Sequence, residues 1–200
     1  MKRTYLGLAV TVSLMGMFSL SALADSAGRS GNSVTGCNGC HNGGQAPTVA
    51  FGGPAQVVAG STNEFSFTVT SAAANTQTHA GLDVSVQDSN QNAAGTLAKG
   101  NGDGQILNGD LTQTGPKQND GNGNAKWVFN WTAPATPGVY RFFGSGNSVN
   151  NDGTTKGDQS ATVVFRVTVV AAPEPSTLAF LAVGLVGFVS FGRRRLSAPR

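Results

Sequence analysis

Lys126-Trp127-Val128-Phe129-Asn130-Trp131-Thr132 is the stretch on which the fold turns. Its large aromatics, Trp127, Phe129 and Trp131, stand at every second position, with Lys126, Val128 and Asn130 between them. A period of two sends alternate side chains to opposite faces of an extended chain, so this segment reads as a β-strand with one face made for a core. Ala133-Pro134 ends it, because proline has no amide hydrogen for the ladder. The same alternation recurs outward in both directions. Phe65, Phe67 and Val69 alternate with Glu64, Ser66, Thr68 and Thr70, and Leu82, Val84 and Val86 with Asp83, Ser85 and Gln87. Val163, Phe165, Val167 and Val169 form the last such run, with residues 139–143 before it and weaker extended segments at 45–51, 56–58 and 105–107. About seven strands separated by polar turns predict an all-β chain, an immunoglobulin-like antiparallel β-sandwich.

Helical signals are confined to the two ends. Met1-Lys2-Arg3 is basic, residues 5–20 are apolar, and Ala22-Leu23-Ala24 forms a cleavage site before Asp25. Residues 1–24 therefore read as a signal peptide with an N-terminal signal helix, removed by signal peptidase. Residues 25–34, rich in Ser, Gly and Asn, read as a flexible spacer, and residues 35–172 as the folded domain. Residues 173–200 hold Pro173-Glu174-Pro175, an apolar run ending at Gly192, and then Arg193, Arg194 and Arg195. An apolar helix there predicts a C-terminal membrane anchor with its arginines on the cytoplasmic side. The ordered trio of Pro-Glu-Pro, apolar helix and basic end resembles the PEP-CTERM sorting signal of Gram-negative bacteria. That resemblance implies export across the inner membrane, contact with the membrane through the helix, recognition by an exosortase, and delivery to the cell surface or extracellular matrix.

The net charge of +3 misleads. Lys2, Arg3, Arg193, Arg194, Arg195 and Arg200 lie in the targeting ends, which leaves seven Lys and Arg against ten Asp and Glu over residues 25–175, a net of −3. With no basic run interleaved with aromatics, nucleic acid is not an expected partner.

Chemistry concentrates at Cys37-Asn38-Gly39-Cys40-His41, which contains both cysteines and one of the two histidines. A Cys-x-x-Cys-His run in an exported chain reads first as an attachment site for haem c. Two thiols add to the porphyrin vinyl groups, and the next residue offers its imidazole to the iron. A disulfide or free dithiol is the main alternative, and a zinc site the weakest, because a fourth ligand is missing. A second axial ligand is a further question. Met1, Met15 and Met17 leave with the signal peptide, so His79 is the candidate, with Lys99 and Lys117 as fallbacks. Exposed loop histidine is the bland reading of His79. Asp103, Asp120, Asp152 and Asp158, in loops rich in Asn and Gly, raise Ca²⁺, although none follows the EF-hand order and such loops commonly satisfy their own turns. No nucleophile elbow or paired carboxylates in apolar surroundings are recognisable, so an enzyme is not expected.

Residues 35–44, 129–134 and 146–158 are similar to the bacterial choice-of-anchor V domain, a relative in pattern of the Reeler sandwich. The resemblance implies an extracellular β-sandwich with an N-terminal Cys-x-x-Cys-His segment. One departure is Gln113, which stands where relatives often carry histidine. The resulting expectation is an exported, surface-sorted protein carrying covalent haem for electron transfer or small-ligand sensing. The alternative is a non-enzymatic surface or matrix module in which Cys37 and Cys40 form a structural disulfide. Extracellular polysaccharide or a redox protein is the expected class of partner.

Overall fold

The computed structural model describes residues 25–100 and 102–173; the signal helix expected at 1–24, the C-terminal helix, and all of the sorting signal beyond Pro173 lie outside them. Twelve strands follow in chain order: β1 (Asn42–Gly43), β2 (Thr48–Gly52), β3 (Gln56–Val58), β4 (Thr62–Thr70), β5 (His79–Gln87), β6 (Thr96–Lys99), β7 (Gly104–Leu107), β8 (Asp110–Gln113), β9 (Lys117–Gln118), β10 (Asn124–Thr132), β11 (Gly138–Val149) and β12 (Lys156–Val170). They form two sheets. One runs β2-β4-β10-β6; the other runs β1-β12-β11-β5-β8-β7, with β3 also on β12 and β9 also on β5. The all-β sandwich stands, with more strands than the seven expected, because the extra ones are too short to show a period. Two of the short pairings, β1 and β3 with β12, are parallel.

The core lies where the alternation placed it. Phe65, Phe67 and Val69 on β4 and Trp127, Phe129 and Trp131 on β10 are buried against Leu82, Val84, Phe142, Val167 and Val169 of the facing sheet. Phe142 is central, with ring centroids 4.8 Å from Phe65 and 5.0 Å from Trp131. Each such ring removes a large apolar area from water and adds edge or offset contacts. Tyr140 pins the entry to β11 by donating to the carbonyl of Thr136 at 2.8 Å.

β11 does not end where its hydrophobic pattern fades. Residues 144–149, beyond the extended segment expected at 139–143, continue the strand in full register between β5 and β12. The inward positions are Gly144 and Gly146. A Cβ on Gly144 would stand 2.4 Å from the Phe67 ring, and one on Gly146 would stand 2.4 Å from Val69. Side chains of β2 and β4 fill that space instead. Outward, the same half-strand carries Ser145 and Asn147, and both are buried. They are covered by residues 25–41, which include the segment expected to be a flexible spacer. That segment is docked: Ser33 is buried and its Oγ lies 2.7 Å from Ser85 Oγ, while Gly31 and Asn32 donate their amides to Asp110 and Asp83. Its small polar residues suit it to lie on a polar sheet face.

Candidate functional site

The Cys-x-x-Cys-His segment forms a single helical turn on the outer face of the larger sheet. The carbonyl of Cys37 accepts the amides of Cys40 at 3.1 Å and His41 at 3.0 Å. Gly36 enters the turn with φ +83°, in the left-handed region that suits glycine. Ser160 of β12 holds the turn down: its Oγ accepts the Cys37 amide at 3.1 Å, and Asn38 Oδ1 accepts both the amide and the hydroxyl of Ser160 at 2.8 Å. Asn38, read from sequence only as a turn former, is thus the anchor of the motif.

His41 is fixed from the far end of the chain. Its Nδ1 donates to Asp158 Oδ2 at 2.8 Å; the carboxylate is 1% exposed and its other oxygen accepts the amide of Asn150 at 2.9 Å. A carboxylate on Nδ1 sets the tautomer and ring orientation and leaves Nε2 as the free nitrogen, the usual support for a metal-bound imidazole. Asp158, considered from sequence only as a calcium ligand, is therefore committed to the motif.

Both thiols are free. Cys37 is half-buried, with Sγ 3.3 Å from Ser145 Oγ, and Cys40 is exposed. Burial pushes the Cys37 thiol up, against the opposing pull of the Ser145 hydrogen bond. A raised thiol is a poor thiolate, and the nearby Arg29 only partly offsets the effect of burial.

Cys37, Cys40 and His41 line one side of a cleft of about 290 Å³. Gly81, Asn147 and Gln113 line it too, with Asp25, Arg29 and Asn32 of the N-terminal segment forming a further wall. Gly81 keeps the floor low: a Cβ there would meet Asn147 Oδ1 at 2.6 Å and the Gln113 amide at 3.0 Å. Gln113, the position singled out by the family resemblance, therefore shares the cleft with the Cys-x-x-Cys-His turn; its Oε1 accepts the amide of Leu82 at 2.9 Å.

Other expected site residues fall elsewhere. His79 opens β5, half-buried, with Nδ1 2.9 Å from Thr78 Oγ1, and it does not line the cleft. Lys117 pairs with Asp103 and lies over the Trp127 ring, and Lys99 is exposed on β6; neither reaches the cleft. Asp120 and Asp152 accept amides within their own loops, which holds both carboxyls below the ordinary value. Among the described residues no three His, Cys, Asp or Glu side chains are grouped to hold a metal ion. No helix among them is long and apolar enough to cross a membrane.

Residues 171–195 match the model of the PEP-CTERM protein-sorting motif. No curated protein matches the chain. Similar solved structures include the Reelin-N domain of F-spondin, at 13% identity and a TM-score of 0.39 over 66% of this chain and 91% of that one. AggA, the major subunit of the aggregative adherence fimbriae of Escherichia coli, is similar at 16% identity and a TM-score of 0.38, over 65% and 99% of the two chains. The CARDB domain of a Pyrococcus furiosus protein follows at 18% identity and 0.35, over 63% and 96%. The sorting motif implies recognition by an exosortase and export to the envelope or surface of a Gram-negative cell, and what it delivers there is a β-sandwich domain.

Proposed function

We propose that this surface-sorted sandwich carries a c-type haem on the turn Cys37–His41, with His41 as the iron ligand through Nε2. The observation that carries the reading is the pair of His41 Nδ1 with the buried carboxylate of Asp158. A disulfide-pinned arm has no use for an imidazole held in a single tautomer with one nitrogen free. Haem would supply a redox-active, ligand-binding iron. The protein's own residues attach it, orient the imidazole and shape what surrounds it.

The donor set fits at the attachment end, where both thiols are free and face one cleft with His41. At about 290 Å³ the cleft is near the small end of ligand sites, so the fit is to the linked edge of a macrocycle and not to the whole of it. Among the described residues lining it, His41 is the one histidine that could serve as an iron ligand. Gln113 and Asn147 are amides, and His79 is engaged outside the cleft. A haem held here would draw no second histidine from the cleft, which supports small-ligand binding over bis-histidine electron transfer. Gln113 in place of histidine agrees with the same choice.

Expression in a periplasm with haem-maturation machinery tests the proposal. The expected product is coloured, keeps its Soret band after denaturation, and loses covalent haem when Cys37 and Cys40 are both changed to serine. A colourless protein with Cys37 and Cys40 oxidised to a disulfide would favour the surface-module reading.

A further inference from the structure

Asp83 and Asp110 face each other beneath the N-terminal arm. Asp83 sits on β5 and Thr112 is its direct cross-strand partner on β8; Asp110 lies two residues before Thr112, so all three side chains share the outer face. Asp83 is 1% exposed and Thr112 wholly buried, and Asp83 Oδ1 and Thr112 Oγ1 are each sealed from solvent without a hydrogen-bond partner among the described residues. The other oxygens hold the arm: Asp83 Oδ2 accepts the amide of Asn32 at 2.5 Å and Asp110 Oδ2 that of Gly31 at 2.9 Å. Gly28 closes over the site, its missing Cβ leaving room 2.7 Å from Thr112 Oγ1.

A carboxylate buried as Asp83 is, with a second, half-buried carboxylate beside it, is costly to keep ionised. Something positive must sit with them. Calcium calls for six to eight oxygens, and the enclosed set offers two carboxylates and one hydroxyl. A proton needs no such shell. Around the pair, β11 contributes Ser145 beside Asp83 and β7 contributes Gln105 beside Thr112, neither ionisable. Of the arm's ionisable groups Asp25 and Arg29 line the same cleft as Asp83, and from the next turn the Cys37 thiol lies within its field.

We propose that Asp83 holds a proton beside the Asp110 carboxylate and acts with it as a pH-sensitive latch on residues 25–34, the segment that walls one side of the cleft. Asp83 carries the proton, and the Asn32 and Gly31 amides then bind a pair with a single negative charge. Burial, with the Asp110 charge beside it, pushes the Asp83 carboxyl up to about 7 although the Asn32 amide pulls it down. With the arm lifted, Asp83 returns toward the ordinary carboxylate range. The docked form thus binds the extra proton between those values. Docking is strongest at acid pH, weakens as pH rises toward about 7, and is level above it. The inference is independent of what fills the cleft, because every contact belongs to the apoprotein.

Hydrogen exchange of the 30–34 amides in the haem-free exported chain tests it, corrected for intrinsic exchange. Protection is expected to fall by up to about tenfold per pH unit between roughly pH 4.5 and 7, then level off. In Asp83→Asn the amide side chain supplies a permanent donor to Asp110 and an acceptor for Asn32. Protection should stay high at pH 8, with the pH dependence gone. Asp110→Asn removes the neighbouring charge but not the burial, so the fall in protection should move to lower pH; it serves if the first variant does not fold. Flat protection in the unmodified chain, an unchanged profile in the asparagine variants, or loss of protection on adding a chelator at pH 5 would each overturn the latch.

Discussion

β11 is two strands in one. Up to Phe142 it sends aromatics into the sandwich and shows a clear alternation; from Gly144 onward it sends glycines inward and buried polar side chains outward. The first half makes the protein stable, and the second makes the floor of a site. The difference lies in which layer covers each face. Phe142 meets the rings of β4 and β10, whereas Ser145 and Asn147 meet residues of the N-terminal arm, the Cys37 turn and the cleft. A face covered by a polar arm can afford hydroxyls, amides and carboxylates, provided each finds a partner.

The comparison breaks first in the aromatic half. Phe142→Ala should cost about 3–5 kcal/mol in denaturant unfolding, as for other large-to-small core changes, while the Cys37–His41 turn keeps its hydrogen bonds. Gly146→Val probes the boundary. Its side chain would enter space held by Val69 and Val49, and a loss of about 1–3 kcal/mol or more is expected by the same assay. In the polar half, Asp158→Ala removes the acceptor for His41 and for the Asn150 amide. It should cost about 1–3 kcal/mol, and nitrogen NMR should find the neutral imidazole released from the Nδ1–H tautomer. At the small end, Lys117→Ala breaks a surface ion pair with Asp103 and a contact over Trp127. A change within about 1 kcal/mol, shrinking with added salt, is expected.

Those contrasts also explain what could be read from the chain alone. Trp127, Phe129 and Trp131, with Phe65, Phe67 and Val69, announce the core because bulky side chains at period two have few other uses. Residues 144–149 hide because glycine on the inward positions erases the hydrophobic beat, leaving Ser and Asn to mimic a loop. Cys37, Cys40 and His41 stand out by rarity and spacing. Their partners do not: Asp158 comes from 117 positions away and looks, in Asn/Gly-rich surroundings, like a turn residue or a calcium ligand. Asp83 alternates with Leu82 and Val84 as a solvent-facing residue would, and only the docked arm buries it. His79 drew notice because histidine is scarce, yet the cleft is lined without it.

The proposed function requires a porphyrin joined to the Cys37–His41 turn. Denaturing mass spectrometry of the chain matured with haem-attachment machinery, followed by peptide mapping, addresses that bond directly. The expected result is one haem per chain, retained by the peptide containing Cys37 and Cys40. An unmodified mass, with those two cysteines free or joined to each other, would contradict it.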